Sequence, residues 1–238
     1  MNGAPETTPS PIAEGVPTTH ELKYVVPAAA AGSVEAWLAA VSGPERDRPP
    51  AYVFTVYFDT PGLALLDQKR NSDYLKIKVR IRWYGTLDGR PGGAAYSEVK
   101  QRVGNRREKH RVRLGTDAAV LAKWPLADPR WMGLLAPLRA FARLPPRLLP
   151  TLALRYRRSR YIEATSRLAL DQQIPVTAAH PHLAAGHLPA WLPLGVFECK
   201  GPESELPARL GPIVRFGARR SSFSKYQACM QAVSPHAF

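Results

Sequence analysis

Apolar and polar residues alternate along much of the chain, the pattern of strands that are covered on one face. The clearest case is the segment 76–82, KIKVRIR, in which Ile77, Val79 and Ile81 fall on one face. Further strand-like runs cover residues 20–26, 52–59, 73–84, 95–102, 109–114, 151–162, 166–171 and 194–200. Two of them are expected to form a hairpin through the Gly-Asn pair at 104–105.

Apolar residues at helical spacing predict five helices among these strands. The helices are expected at residues 32–42, 117–124, 131–142, 204–216 and 223–233. Ser33 is the expected N-cap of the first helix. The Pro-, His- and Ala-rich stretch 174–192 is expected to be a long loop, and the proline-containing residues 1–19 a disordered tail.

This order of elements indicates one α+β domain over residues 20–238. Antiparallel strands in this number are enough to close a β-barrel of about eight strands, with helices packed outside and at the C-terminus. A closed barrel has an inner face, and the residues on that face would line a tunnel.

The charge balance indicates an anionic partner. Lys and Arg number 33 against 19 Asp and Glu, a net charge of +14. Nucleic acid, membrane lipid and phosphate-rich small molecules all fit such an excess. A general bias towards Arg, Ala and Pro would also produce it, so the positions of the charges must decide.

The expected cellular compartment is inferred from features that the sequence lacks. No apolar run approaches the roughly 18 residues of a membrane span, and no secretory signal begins the chain. Its two cysteines do not make a disulfide framework. We therefore expect a soluble cytoplasmic protein that works with a separate membrane partner if it serves transport.

Charged residues recur on the strands at a spacing of two, which places them on one face. In segment 76–82 this face carries Lys76, Lys78, Arg80 and Arg82. One such strand is typical of a solvated outer face. The pattern recurs, however, in Glu21/Lys23, Glu98/Lys100, Glu198/Lys200 and Lys109/Arg111/Arg113, with Arg155, Arg158 and Arg167 on later strands. With the apolar faces under helices, all these charges would point into the tunnel.

A basic lumen with a few carboxylates suits a metal-bound phosphate chain. Guanidinium groups bind phosphate oxygens in pairs, and ammonium groups supply point charge. Carboxylates hold Mg²⁺ or Mn²⁺, which keeps some waters and bridges phosphates. No helix-turn-helix, zinc finger or aromatic RNA-binding motif supports nucleic acid as the partner.

At this point the sequence resembles a known family, the vacuolar transporter chaperone (VTC) domain. The motifs that carry the resemblance are, in order, Glu21-Leu-Lys23-Tyr24, Tyr57-Phe-Asp-Thr60, Lys78-Val-Arg-Ile-Arg82 with Tyr84, Glu98-Val-Lys100, Tyr156-x-Arg158 with Tyr161, Arg167-x3-Asp171, Glu198-Cys-Lys200 and Ser224-Lys-Tyr226. They span about residues 20–230. The resemblance implies a triphosphate tunnel fold, similar to the CYTH phosphohydrolases, with a metal held by glutamate.

It also implies an activity, the metal-dependent transfer of the γ-phosphate of a nucleoside triphosphate to a growing polyphosphate chain. By this resemblance and the charge pattern, the candidate catalytic residues are Lys78, Arg80, Arg82, Lys100, Arg158 and Lys200. Further candidates for phosphate binding are Lys23, Lys76, Lys109, Arg111, Arg155, Arg167, Lys225 and Tyr226. The metal, Mn²⁺ or Mg²⁺, would be held by Glu198, with Glu98 and Glu21 as helpers.

Three points stay open on the sequence. Ser222 stands where a basic residue is often expected three positions before Lys225. The crowded arginines between 155 and 160 do not reveal which of them face the lumen. A hydrolase of triphosphate or short polyphosphate, or a non-catalytic polyphosphate-binding module, would carry the same tunnel.

Overall fold

The computed structural model of the chain describes residues 20–104, 106–183 and 188–234. The expected N-terminal tail and Asn105 of the expected turn lie outside the described residues. The strands are β1 (His20–Pro27), β2 (Gly43–Pro44), β3 (Ala51–Asp59), β4 (Leu75–Gly85), β5 (Pro91–Val103), β6 (Arg106–Asp117), β7 (Leu149–Glu163), β8 (Ser166–Gln172), β9 (Pro175–Ala179), β10 (Ala190–Trp191), β11 (Leu194–Gly201) and β12 (Arg219–Arg220).

Helices are short and lie between the strands. The α-helices are α1 (Ala31–Val41), α2 (Ala64–Arg70), α3 (Ala118–Leu121), α4 (Arg130–Gly133) and α5 (Lys225–Val233). Three 3₁₀ helices cover Ala28–Ala30, Ala136–Ala140 and Ala208–Phe216.

All twelve strands join one sheet in which every recorded pairing is antiparallel. Its main path runs β12-β1-β11-β8-β7-β3-β4-β5-β6, with β2 and β9 also pairing with β7, and β10 with β9. The prediction of an α+β fold is confirmed. Within the described chain, however, the end strands β6 and β12 are not hydrogen-bonded to each other. The expected closed barrel is therefore an open sheet, although residues from its distant strands line a common cavity.

The convex face of the β3–β5 region is apolar and lies under α3, α4 and the 136–140 helix. Alternation along β4 sends Ile77, Val79 and Ile81 to this face. Trp131 of α4 fills the centre of the layer at 1% exposure, with ring centroids 6.4 Å from Trp83 and 5.2 Å from Trp124. The alternating sequence pattern thus covers one face of the sheet and leaves the charged face for the inside.

A second convex layer covers β1, β8 and β11 with α1 and the 208–216 helix. Leu22, Phe197 and Leu170 of the sheet pack there against Leu38 and Ile213. This layer keeps the other half of the sheet curved around the same interior.

Helix α5 packs into the concave face rather than onto the outside. Its apolar residues Cys229, Met230 and Val233 are fully buried against Leu152 and Val176 of the sheet. The hydroxyl of its Tyr226 donates to Asp59 Oδ2 at 2.9 Å. That carboxylate also accepts the backbone N–H groups of residues 65 and 66 at the start of α2. One buried carboxylate therefore connects β3, α2 and α5.

Several local predictions were wrong. Helix α1 begins at Ala31 after Ala30, so Ser33 lies inside the helix and does not cap it. The stretch 174–192 contains β9 and β10, because β9 extends the sheet alongside β7. The helices expected near 117–124 and 131–142 are single turns, which the many local prolines favour.

Replacing Trp131 with Ala should lower the free energy of unfolding by about 3–5 kcal/mol, because it empties the centre of the convex layer. Val120→Ala is the matched control, since Val120 lies beside this layer but is 47% exposed. Urea unfolding followed by far-UV circular dichroism measures both. Equal, small losses in the two variants would contradict this description of the layer.

Candidate functional site

The concave face holds a cavity of about 960 Å³. Strands from both halves of the sheet line it, together with the segment 221–224 that leads into α5. Seven of the predicted charged site residues line its wall, namely Glu21, Lys23, Lys76, Lys78, Lys100, Lys109 and Lys200. The cavity is therefore a basic chamber with one carboxylate among its predicted site residues.

Three lysines stand side by side across the cavity wall. Lys78 of β4 pairs directly with Lys100 of β5, which pairs with Lys109 of β6. We call these three residues the lysine row. Directly opposed like charges on neighbouring strands destabilise a sheet. Within the described chain, no carboxylate lies within 4 Å of the ammonium group of Lys78 or Lys100, and Lys78 Nζ contacts only the Ser224 hydroxyl, at 3.1 Å.

This arrangement lowers the pKa of two lysines of the row, Lys78 and Lys100. Burial, together with Lys23 and Arg80, lowers the pKa of Lys78 to about 7. Burial, with Arg80 again, lowers the pKa of Lys100 to about 6, although Glu21 acts in the opposite direction. The free protein thus lacks the negative charge that would make both ammonium groups stable.

Next to the row, Glu98 is the counter-ion of four cations. Its Oε2 lies 2.5 Å from Arg80 and 4.0 Å from Arg82, and its Oε1 lies 3.2 Å from Lys109 and 3.4 Å from Arg111. Burial alone would raise the pKa of Glu98, but these cations outweigh it and hold the pKa far below its usual range. Glu98 thus orients the donor groups of the four cations but neutralises only one charge, so the cluster keeps an excess of three positive charges.

A second cluster joins β7, β8, β11 and α5. Arg158 forms a two-bond pair with Asp171, and Lys225 Nζ lies 2.5 Å from the same carboxylate. Glu198 lies 3.7 Å from both cations. Burial favours neutral acids here, yet Arg158 and Lys225 hold the pKa of Asp171 below its usual value. The predicted catalytic residue Arg158 and the predicted phosphate-binding residue Lys225 are therefore already balanced by carboxylates.

Glu21, Lys23, Glu198 and Lys200 alternate in sign on the neighbouring strands β1 and β11. Glu21 opposes Lys200, and Lys23 opposes Glu198. Glu21 Oε1 lies 3.6 Å from Lys23 and 3.8 Å from Lys200, which are loose ion pairs. The two glutamates are thus diagonal neighbours on the cavity side, with oxygen atoms not held in close hydrogen bonds.

A protein-only metal site does not form on the described residues, since no cluster of three or more His, Cys, Asp and Glu could hold an ion there. Mg²⁺ and Mn²⁺ are nevertheless often held by one or two carboxylates plus substrate phosphates. Glu198 and Glu21 fit that arrangement. Glu98 does not, because its four cations already occupy it.

The structure separates the crowded arginines. Arg158 and Arg160 lie on the concave face, where Arg160 lies over the Tyr84 ring at 5.5 Å. Arg155 opposes Phe54 of the convex core and lies over the Tyr52 ring at 5.4 Å. Its predicted role in phosphate binding does not agree with this placement, because β7 turns every odd position from 153 to 159 outward.

The remaining predicted residues divide between rim and interior. Lys76 lines the cavity mouth, and Arg167 is an exposed residue paired with Lys200. Tyr226 also lines the cavity, but its hydroxyl is committed to Asp59. We therefore assign Tyr226 to the seating of α5 rather than to a direct phosphate contact.

Sequence reasoning missed the roles of four residues at the site. Asp171 was noted only as part of a motif, although it anchors two cations. Lys69, Arg102 and Arg107 extend the basic wall at the cavity mouth. Arg102 shares the spacing-of-two pattern with Lys100, so extending that pattern by one step would have found it, whereas Lys69 lies on a helix absent from the prediction.

The family model of the VTC domain matches residues 18–234, which is most of the chain. The chain therefore belongs to the VTC domain family, and the resemblance seen in the sequence is confirmed. No curated protein matches the chain.

Solved structures with the same fold are distant in sequence. HpAC1 from Hippeastrum, named as a candidate adenylyl cyclase and described with a dominant triphosphatase activity, has a TM-score of 0.54 and 15% identity over 91% of this chain and 97% of its own. A candidate adenylate cyclase from Bacillus halodurans has a TM-score of 0.53 and 18% identity over 87% of this chain and 94% of its own. At these identities the likeness shows the fold alone.

The helices that the structure describes include none with the length and apolar character of a membrane span.

Replacing Glu98 with Gln should cost about 3–5 kcal/mol of unfolding free energy, since four cations then face no carboxylate. The control is Asp88→Asn in the turn between β4 and β5, which breaks an exposed pair with Arg90 away from the cavity lining and should leave the free energy of unfolding almost unchanged. Thermal unfolding with and without inorganic tripolyphosphate measures both. Tripolyphosphate should raise the melting temperature of Glu98→Gln more than that of the control, and equal shifts would contradict the excess-charge description.

Proposed function

We propose that this chain binds a triphosphate or polyphosphate chain in the concave cavity and transfers phosphoryl groups along it. The lysine row is the observation that carries the proposal. A fold that opposes three lysines directly, two of them without an ion-pair carboxylate among the described residues, is stabilised by an anion that lies across them.

The position of the charges supports a slender phosphate chain rather than nucleic acid as the ligand. The unbalanced cations lie on the concave face, between strands and α5, while the convex faces are covered by helices. A nucleic-acid surface would need its cations on an accessible outer face. A chain of linked phosphates carries the dense negative charge that would balance the cations of the cavity.

Positioning and charge neutralisation are sufficient for phosphoryl transfer, which needs no protein nucleophile. Glu98 fixes the Arg80 head, and Asp171 fixes that of Arg158, so both present oriented donors before the ligand arrives. Lys78 and Lys100 are only partly protonated in the free protein, and they become fully protonated when phosphate binds. A divalent metal, held by Glu198 and Glu21 with the phosphates, would neutralise further charge on the chain.

The proposed reaction is the transfer of the γ-phosphate of a nucleoside triphosphate to polyphosphate, with Mn²⁺ or Mg²⁺. Membership in the VTC domain family supports this choice. Hydrolysis is the second candidate, supported by the triphosphatase activity described for the Hippeastrum protein of the same fold. A binding module without turnover uses the same cavity. The three candidates differ in the group that accepts the phosphoryl group. The polymerase uses a phosphate, the hydrolase uses water, and the binding module has no acceptor.

Incubation of the purified protein with ATP and Mn²⁺ should yield nucleoside diphosphate matched by polyphosphate. Glu198→Gln should reduce metal-dependent turnover at least tenfold while polyphosphate still binds, because the substitution removes one metal ligand and keeps the cations. Glu203→Gln, at an exposed position close in sequence, is the control. Free phosphate in place of polymer would favour the hydrolase, and full activity of Glu198→Gln would contradict the metal assignment.

Binding should also take up protons through Lys78. Its pKa of about 7 leaves most of it neutral at pH 8, and a bound phosphate chain raises that pKa, so a proton moves from buffer to protein. Affinity should therefore fall as pH rises above about 7. Titration calorimetry of tripolyphosphate at pH 8 in buffers of different ionisation enthalpy measures the uptake.

Lys78→Met should show less proton uptake than the native chain, while Lys123→Met, at an exposed position beside the convex layer, should match the native chain. The same uptake in all three proteins would assign the protons to other groups of the cavity, such as Lys100, and remove Lys78 from the phosphate contacts.

A further inference from the structure

In the part of the chain that the structure describes, the sheet around the interior has two end strands that do not pair with each other. In the described chain, β6 pairs with β5 along one edge, and no strand pairs with its other edge. At the far end of the sheet, β12 has β1 as its one partner among the described strands. Residues next to both edges, among them Lys109 and Ser221, line the same cavity. We call the gap between β6 and β12 the seam.

The inner face of the sheet is not equally exposed on all of its strands. Arg111, Glu98 and Arg80 are cross-strand neighbours on β6, β5 and β4, so they lie side by side in one row across the sheet. Their side chains are 35%, 1% and 9% exposed. Exposure thus rises at the strand beside the seam.

The two faces of β6 give the same result. Its concave positions 107, 109, 111 and 113 are all exposed, whereas the convex positions 108, 110 and 112 are half-buried and 114 is buried under the helices. An edge strand with its outer face covered and its inner face open is the reverse of an ordinary barrel strand.

Charge keeps the two edges from pairing. Strand β6 carries Arg106, Arg107, Lys109, Arg111 and Arg113, and β12 consists of Arg219 and Arg220. Basic side chains on edge strands disfavour strand pairing. Like charges on both sides of the seam repel each other, and a polyanion between them removes that repulsion.

We infer that a long polyphosphate enters the cavity sideways through the seam, so that the chain binds along its length and does not have to be threaded in by a free end. This inference rests on the proposed function. A closed tunnel would require each chain to be threaded by its end, whereas an open seam bordered by cations accepts the chain along its length. The ligand class is therefore linear polyphosphate with either free or blocked ends.

The test compares chains of equal length that differ only in their ends. A long linear polyphosphate carries biotin on one or on both terminal phosphates, and streptavidin then blocks those ends with a folded protein. Biolayer interferometry on the immobilised full chain measures the association rate and Kd of each. We expect the singly and doubly blocked chains to agree within about twofold in both quantities.

Dependence on the lysine row shows whether the doubly blocked chain lies inside. Lys100→Met should weaken the binding of singly and doubly blocked chains by the same factor, because Lys100 lies on the cavity wall. Lys123→Met, outside the cavity, is the control. Circular dichroism of each variant checks that the fold is retained.

Two results would overturn the inference. Doubly blocked chains that bind more than tenfold weaker than singly blocked ones would show that threading is required. Doubly blocked chains that bind equally to the native chain and Lys100→Met would lie on the outer surface. Failure of every chain, including one with both ends free, would instead overturn the proposed function, and the inference with it.

Discussion

The charged interior of this sheet depends on one buried carboxylate, that of Glu98. It is 1% exposed and faces Arg80 and Arg82 of β4 and Lys109 and Arg111 of β6. Without it, four cations would oppose one another in a partly desolvated space, at a cost that packing elsewhere could not easily offset. With it, the strands can approach, and the cations keep fixed positions while most of their charge stays uncompensated.

The rest of the fold follows from the need to hold such a surface inside. Both convex layers supply apolar burial behind the charged part of the concave face, so on β4 and β5 packing and charge lie on opposite faces of the same strands. Alternation makes this possible, because each strand donates every second residue to each task. The repulsion between cations on the concave face is tolerated because the opposite face is well packed.

How far the sequence could predict this structure depends on the range of the interactions. The α+β class, the positions of eight strands and the inward direction of Lys78 and Lys100 follow from local alternation. The sorting of Arg155 from Arg158 needs the phase of β7, which the run of four arginines conceals. The partnership of Asp171 with Lys225, and the open edge at β6, arise between segments far apart in the chain, and no local pattern encodes them.

Helix α5 gives the site a place in the order of folding. Its first two residues, Lys225 and Tyr226, reach Asp171 on β8 and Asp59 on β3, while the body of the helix fills the concave face. During synthesis the strands leave the ribosome before this segment does. The cavity wall thus stays incomplete until the chain has been made past residue 226, so the proposed polyanion can bind only after that point.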